Sequence, residues 1–140
     1  MRYLGLDLGA RTLGIAMSDP TGLIASSYKT IRFPDSAYET LLPPLREIIE
    51  TEKISKIVLG FPKNMNNTVG ERCDLALAFK EKIEKEFSIE VILQDERLTT
   101  VEATHYMIEA DVSRKKRKNK IDSVAATIIL QSYLDRKKGN

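Results

Sequence analysis

Two short apolar segments on either side of a break at Gly9, Ala10 and Arg11 constrain this chain more than any other feature. The first, "RYLGLDLG", alternates Tyr3, Gly5 and Asp7 with Leu4, Leu6 and Leu8, the period of a β-strand with one buried face. The second, "TLGIAMSD", is another apolar strand, and the two can pair as a hairpin. A turn at "SDPTG", residues 18–22, leads into a third strand, "LIASSYKTIRF". A fold that opens this way carries a sheet with antiparallel strands at its start.

The pattern changes after Pro34. Pro43 and Pro44 forbid a continuous helix from Ser36, so the first helix is expected from about Pro44, through Leu45, Ile48 and Ile49, to about Glu52. "SKIVLGFP" reads as a short buried strand and "NMNNTVGE" as a loop. Leu75, Ala76, Phe79, Ile83 and Phe87 recur at helical spacing and predict a helix over about 71–87. "IEVILQDE" is the fifth strand, and Thr99 with Glu102 forms a capping box for a helix through Ala103, Met107 and Ile108. A basic stretch is expected to interrupt that helix before a last one, from about Lys120 to Asp135, with Ile121, Val124, Ala125, Ile128 and Ser132 along one face. Three antiparallel strands followed by βα units predict an α/β domain over residues 1–140: a five-stranded mixed sheet with helices on both faces.

Bulk composition excludes several classes. The hydrophobic fraction is 42%, and no apolar run reaches the roughly 18–20 residues that a membrane span requires. No basic segment leads into an apolar one at the start, which predicts a cytoplasmic protein. One cysteine, Cys73, rules out an internal disulfide and reads as a small semi-buried side chain. The net charge of +2 is unevenly spread. "SRKKRKNK", residues 113–120, holds six basic residues and no acid, leaving 16 basic against 20 acidic residues elsewhere. Such a block on an acidic domain is the footprint of a polyanion contact, or else a solvated loop.

Strands separated by helices run parallel to the first, so strands one, four and five end together. Asp7 and Glu96 then project from the same edge, where ligands bind in open α/β sheets. Asp122 opens the last helix among small neighbours that allow close packing on the sheet. Three converging carboxylates repel unless a cation offsets them, and hard oxygen ligands suit Mg²⁺ or Mn²⁺. Alternation favours Glu96 as the ligand and leaves Asp95 as a further candidate. Each acid has an ordinary alternative: a hairpin residue at Asp7, a solvated strand end at Glu96, a helix N-terminal acid at Asp122. His105, the only histidine, is a helix residue or a proton carrier.

Four segments, "LDLGARTLGIAMSD", "VLGFPKNMNNTVGERC", "QDERLTTVEA" and "RKKRKNKIDSVAATIILQSYLD", together resemble the YqgF/RuvX family, the Holliday-junction resolvase or pre-16S rRNA nuclease group. The resemblance implies an RNase H-like fold and metal-dependent hydrolysis of nucleic acid in the cytoplasm, with Asp7, Glu96 and Asp122 on the family's acidic positions. Arg11 and Arg97 also match family positions and are expected to hold phosphate or to form rim ion pairs. Arg114, Lys115, Lys116, Arg117 and Lys118 are expected to hold the nucleic-acid backbone. The sequence departs from the family at Asn66 and Asn67, where Asp-Gly is common. Processing of the 5′ end of pre-16S rRNA is the expected role, with junction resolution and non-catalytic nucleic-acid binding as alternatives. The partner is nucleic acid rather than membrane, and the protein a monomer or a homodimer. The opening "LDLGARTLG" also looks like the phosphate hairpin of the sugar kinase and actin superfamily, whose ATPases need two such domains.

Overall fold

The sheet is built outward from the opening hairpin. The computed structural model describes residues 1–9, 11–35, 37–61, 71–95 and 114–138, with backbone alone at 71–73, 95, 114–123 and 138. Strand β1 (Arg2–Leu8) pairs antiparallel with β2 (Thr12–Ser18), from Leu4 opposite Met17 to Leu8 opposite Leu13. Strand β3 (Ala25–Arg32) pairs antiparallel with the far side of β2. A 3-10 turn at Tyr38–Leu41 leads into α1 (Leu42–Glu52), then β4 (Ile54–Phe61), α2 (Glu71–Phe87), β5 (Glu90–Asp95) and α3 (Arg114–Lys138). β4 runs parallel to β1 and β5 parallel to β4, giving the order β3-β2-β1-β4-β5. The mixed five-stranded sheet expected from the sequence is therefore present, and β1, β4 and β5 end at one edge.

Alternation along β1 divides the core. Leu4, Leu6 and Leu8 face Leu45 and Ile48 of α1 and Ala76, Phe79 and Ile83 of α2. Tyr3 lies on the opposite face with Ala16 and Val58, under Ala126, Ile129, Leu130 and Leu134 of α3. Each fully buried Leu, Ile or Phe contributes about 1.5–3 kcal/mol, so both faces are held by comparable means. α1 accepts Pro43 and Pro44 in its first turn, where the missing N–H groups have no intrahelical partner anyway. It stops at Lys53, which turns left-handed (φ 54°) and donates its N–H to the Ile49 carbonyl.

Three expectations are corrected. α3 starts at Arg114 rather than about Lys120, so the basic stretch is its opening turns and not an interruption. Lys and Arg are good helix formers, and a tract with no apolar period hides a helix from a periodicity reading. The buried face of α3 is also partly rotated: Val124 is buried as expected, but it is joined by Ala126, Ile129, Leu130 and Leu134, whereas Ala125, Ile128 and Ser132 are half-buried, and the side chain of Ile121 lies outside those described. The run from Val124 to Leu130 is apolar nearly all round, and close approach to the sheet decides which side turns inward. A Cβ on Gly5 would lie 2.7 Å from the Leu130 Cβ and 3.0 Å from the Ala126 carbonyl oxygen. Lastly, β3 begins at Ala25, leaving Leu23 and Ile24 exposed in the turn.

β3 carries a bulge. Ser27 pairs with Ala16 and Lys29 with Ile15, leaving Tyr28 unmatched. Past the bulge the alternation is reversed: Ile31, opposite Leu13, packs on the α1 and α2 core, and Thr30 and Arg32 take the α3 face.

Candidate active site

Asp7 lies near the carboxyl end of β1, half-buried and on the α3 face. Its partner on β2 is Gly14, and continuing the register that pairs Leu6 with Leu59 brings Gly60 beside it on β4. Neither flanking strand therefore presents a side chain next to the carboxylate. Gly60 pairs in turn with Gln94 of β5, a buried polar residue on the same face.

Helix α3 adds the second wall. It runs antiparallel to β1: the Tyr3 ring lies 5.8 Å from the Tyr133 ring with the Lys137 ammonium 4.8 Å above it, and farther along β1, Gly5 meets Ala126 and Leu130. Asp7 is two residues beyond Gly5, a rise of about 7 Å. Position 122 is four residues before Ala126, about 6 Å along the helix axis. The backbone register thus brings position 122 level with Asp7. Polar contacts fix that register: Ser27 and Thr127 hydroxyls meet at 3.0 Å, the Ala25 N–H donates to Gln131 Oε1 at 2.8 Å, and Gln131 Nε2 donates to the Leu23 carbonyl at 3.1 Å.

The remaining predicted residues fall as follows. Asp95 is the last residue of β5, at a backbone position on the Leu93 face; Glu96 and Arg97 follow it and lie outside the described residues, as do His105, Asn66, Asn67 and the helix expected after Thr99. Cys73 and Asp122 are described by backbone alone, both within helices. Arg11 lies in the β1–β2 turn at the Asp7 edge, its carbonyl accepting the Phe33 N–H at 2.9 Å. Its guanidinium is 3.9 Å from the Asp35 carboxylate, with the two side chains 75% and 60% exposed, so this rim pair is loose. Positions 114–118 of α3 precede position 122 by one to two turns, so they extend up to about 12 Å past the level of Asp7. Among the described residues, no three His, Cys, Asp or Glu side chains form a metal-holding group. Arg32 was not anticipated from the sequence. The bulge turns it onto the Asp7 face, and a period-2 reading of β3 carries no sign of that.

Away from this edge, the fold stabilises the ionised forms of Asp19 and Glu84. Asp19, in the β2–β3 turn, is held well below the usual carboxylate range by the Ile24 N–H, the Thr21 hydroxyl and the Leu23 N–H. Glu84 is lowered by the Val91 N–H and then by Lys80. Both are structural, tying a turn and a helix-to-strand connection. Among the described residues no helix is long and apolar enough to cross a membrane.

Comparison with known proteins bears on the family and the fold. A relative from Geobacillus sp. (strain WCH70), named "Putative pre-16S rRNA nuclease", is 54% identical over 137 residues, covering 98% of this chain and 99% of the relative. One from Bacillus subtilis (strain 168) with the same name is 50% identical over 135 residues, covering 96% and 98%. The structure of T. thermophilus RuvC in complex with a Holliday junction substrate superimposes with a TM-score of 0.61 at 13% identity, covering 99% of this chain and 97% of that one. The Fowlpox virus resolvase bound to Holliday junction DNA gives 0.59 at 13% identity, covering 98% and 99%. At such identities the two structures establish the shared RNase H-like fold alone. The family described as "RuvX: Holliday junction resolvase" matches residues 1–136, and with relatives at half identity along nearly the whole length, this chain belongs to the RuvX family.

Proposed function

We propose that this chain is a nuclease that hydrolyses phosphodiester bonds at the Asp7 edge of its sheet, with the 5′ region of the 16S rRNA precursor as its substrate, in the cytoplasm. The observation that carries the reading is the register of α3 on β1, which sets position 122 level with Asp7 while basic turns 114–118 extend past the same edge. An acidic point beside a basic prong is the arrangement that cutting a polyanion requires. The relatives' shared name supports the RNA substrate.

The donor set fits a divalent cation. Asp7, Glu96 and Asp122 supply hard carboxylate oxygens, and glycines flank Asp7 on both neighbouring strands. Those three acids, with Asp95 as a further candidate, would hold Mg²⁺ or Mn²⁺, which when bound polarises the phosphodiester and lowers the pKa of a water. The protein's own contribution is placement. Arg11 and Arg97 would take phosphate oxygens through their planar guanidinium forks, and Arg114, Lys115, Lys116, Arg117 and Lys118 would neutralise the flanking backbone. Backbone contacts carry no base information, so what is cut depends on the shape and end structure of the substrate.

The test is cleavage of a 5′-extended 16S rRNA precursor and of a four-way DNA junction, each with Mg²⁺ or Mn²⁺, by wild type and Asp7→Asn. Cutting of the RNA by wild type, falling to background in the variant, is the expected result. Cutting of the junction alone moves the activity to resolution, and binding without cutting of either by both proteins refutes the nuclease reading.

A further inference from the structure

Resting on the reading of the Asp7 edge as the cleavage site, we infer that Arg32 is a substrate-binding residue that grips a phosphate neighbouring the scissile one on the β3 side. Asp7, Gly14 and Thr30 form one row across β1, β2 and β3, and Arg32, opposite Thr12, lies one row nearer the edge on the same face. Two strand spacings separate β1 from β3, roughly 10 Å, with about 7 Å more along the strand. That is a separation a flexible polyanion crosses while one end sits at Asp7. The position between them on β2 is Gly14, which presents no side chain.

The bulge makes this placement specific. Had β3 kept a regular period from Ala25 and Ser27, Lys29 and Ile31 would share the α3 face and Arg32 would point to the α1 side. The unmatched Tyr28 reverses the alternation, sending Ile31 into the core and Arg32 to the Asp7 face. Arg32 is exposed, and among the described residues no carboxylate forms an ion pair with it, whereas Arg11 in the adjacent turn has Asp35 at 3.9 Å. A guanidinium so placed is available for bidentate contact with phosphate. Lys29 is the internal control, since it has the same charge on the same strand and the opposite face.

Fluorescence anisotropy with a labelled 5′-extended rRNA precursor fragment, over a range of salt and without divalent metal, tests the inference alongside steady-state cleavage. Arg32→Ala is expected to weaken binding and raise KM about tenfold, the loss of one exposed charge-assisted contact, with kcat within about twofold. The slope of log affinity against log salt should fall by about 0.7, one phosphate's worth for a single strand. Arg32→Lys should recover the slope and only part of the affinity, and Lys29→Ala should match wild type. Binding by Arg32→Ala equal to wild type overturns the inference, as does an equal loss in Lys29→Ala, which would mean diffuse charge. If wild type binds the fragment and cuts nothing, the nuclease reading fails, and the anisotropy comparison still decides the place of Arg32.

Discussion

Replacing Gly5 by alanine tests whether α3 is seated on β1 as tightly as the site requires. A Cβ there would lie 2.7 Å from the Leu130 Cβ and 3.0 Å from the Ala126 carbonyl oxygen, both at the stiff root of the helix rather than at a flexible side-chain end. Carbons pack at about 3.5–4.0 Å, so α3 must retreat by roughly 1 Å over Gly5. Overpacking of this kind costs about 1–3 kcal/mol, and the less flexible unfolded chain returns about 0.5–1 kcal/mol, for a net loss of about 1–2 kcal/mol. For a chain of this length that lowers Tm by roughly 3–10 °C. Because position 122 lies only one turn from Ala126, the same retreat displaces it from Asp7, and a misplacement of about 1 Å costs on the order of 100-fold in rate. Urea denaturation by far-UV circular dichroism and precursor cleavage at 25 °C, where the variant stays folded, measure the two effects separately. A stability change below about 0.5 kcal/mol with unchanged cleavage would refute the close seating. Lost stability with an unchanged rate would show that the seating does not reach the site.

Gln131→Ala removes the amide that takes the Ala25 N–H and gives to the Leu23 carbonyl; a loss of about 1–2 kcal/mol in urea denaturation is expected, and a loss under about 0.5 kcal/mol would mean that the latch is replaced by water. Asp19 has its folded pKa depressed below the unfolded value, so its contribution is fully present above about pH 4 and is lost as pH falls from there toward the folded pKa. The Tm gap between wild type and Asp19→Ala should therefore be constant between pH 5 and pH 7 within about a degree and shrink progressively below about pH 4; a gap as wide at about pH 2 as at about pH 5 contradicts the charge-based account.

How much was legible in the sequence depends on whether a residue's place follows from its own strand or from a neighbour. Leu4, Leu6 and Leu8 against Tyr3, Gly5 and Asp7 announced the faces of β1, because one buried side enforces a period of two. Asp7 as an edge acid followed from the same alternation. The facing side of α3 did not, since Val124 to Leu130 offers apolar residues in every direction and the choice falls to Gly5 on another element. The start of α3 was hidden because Arg114 to Lys120 has charge without period. Arg32 was invisible for a different reason: its face is set by the register of β3 on β2, and one unmatched residue, Tyr28, inverts it.

The opening turns of α3 have a thermodynamic consequence. Six of the seven residues from Arg114 to Lys120 are cationic, and the first turn contains no acid. These charges repel one another across i and i+4 and also meet the positive end of the helix macrodipole, so this end of the helix is destabilised by its own sequence. A polyanion relieves both repulsions at once. On the proposed nucleic-acid contact at these turns, helicity and binding would be linked: a ligand that prefers the helical form would stabilise the helix next to position 122, so the substrate would firm one wall of the proposed site.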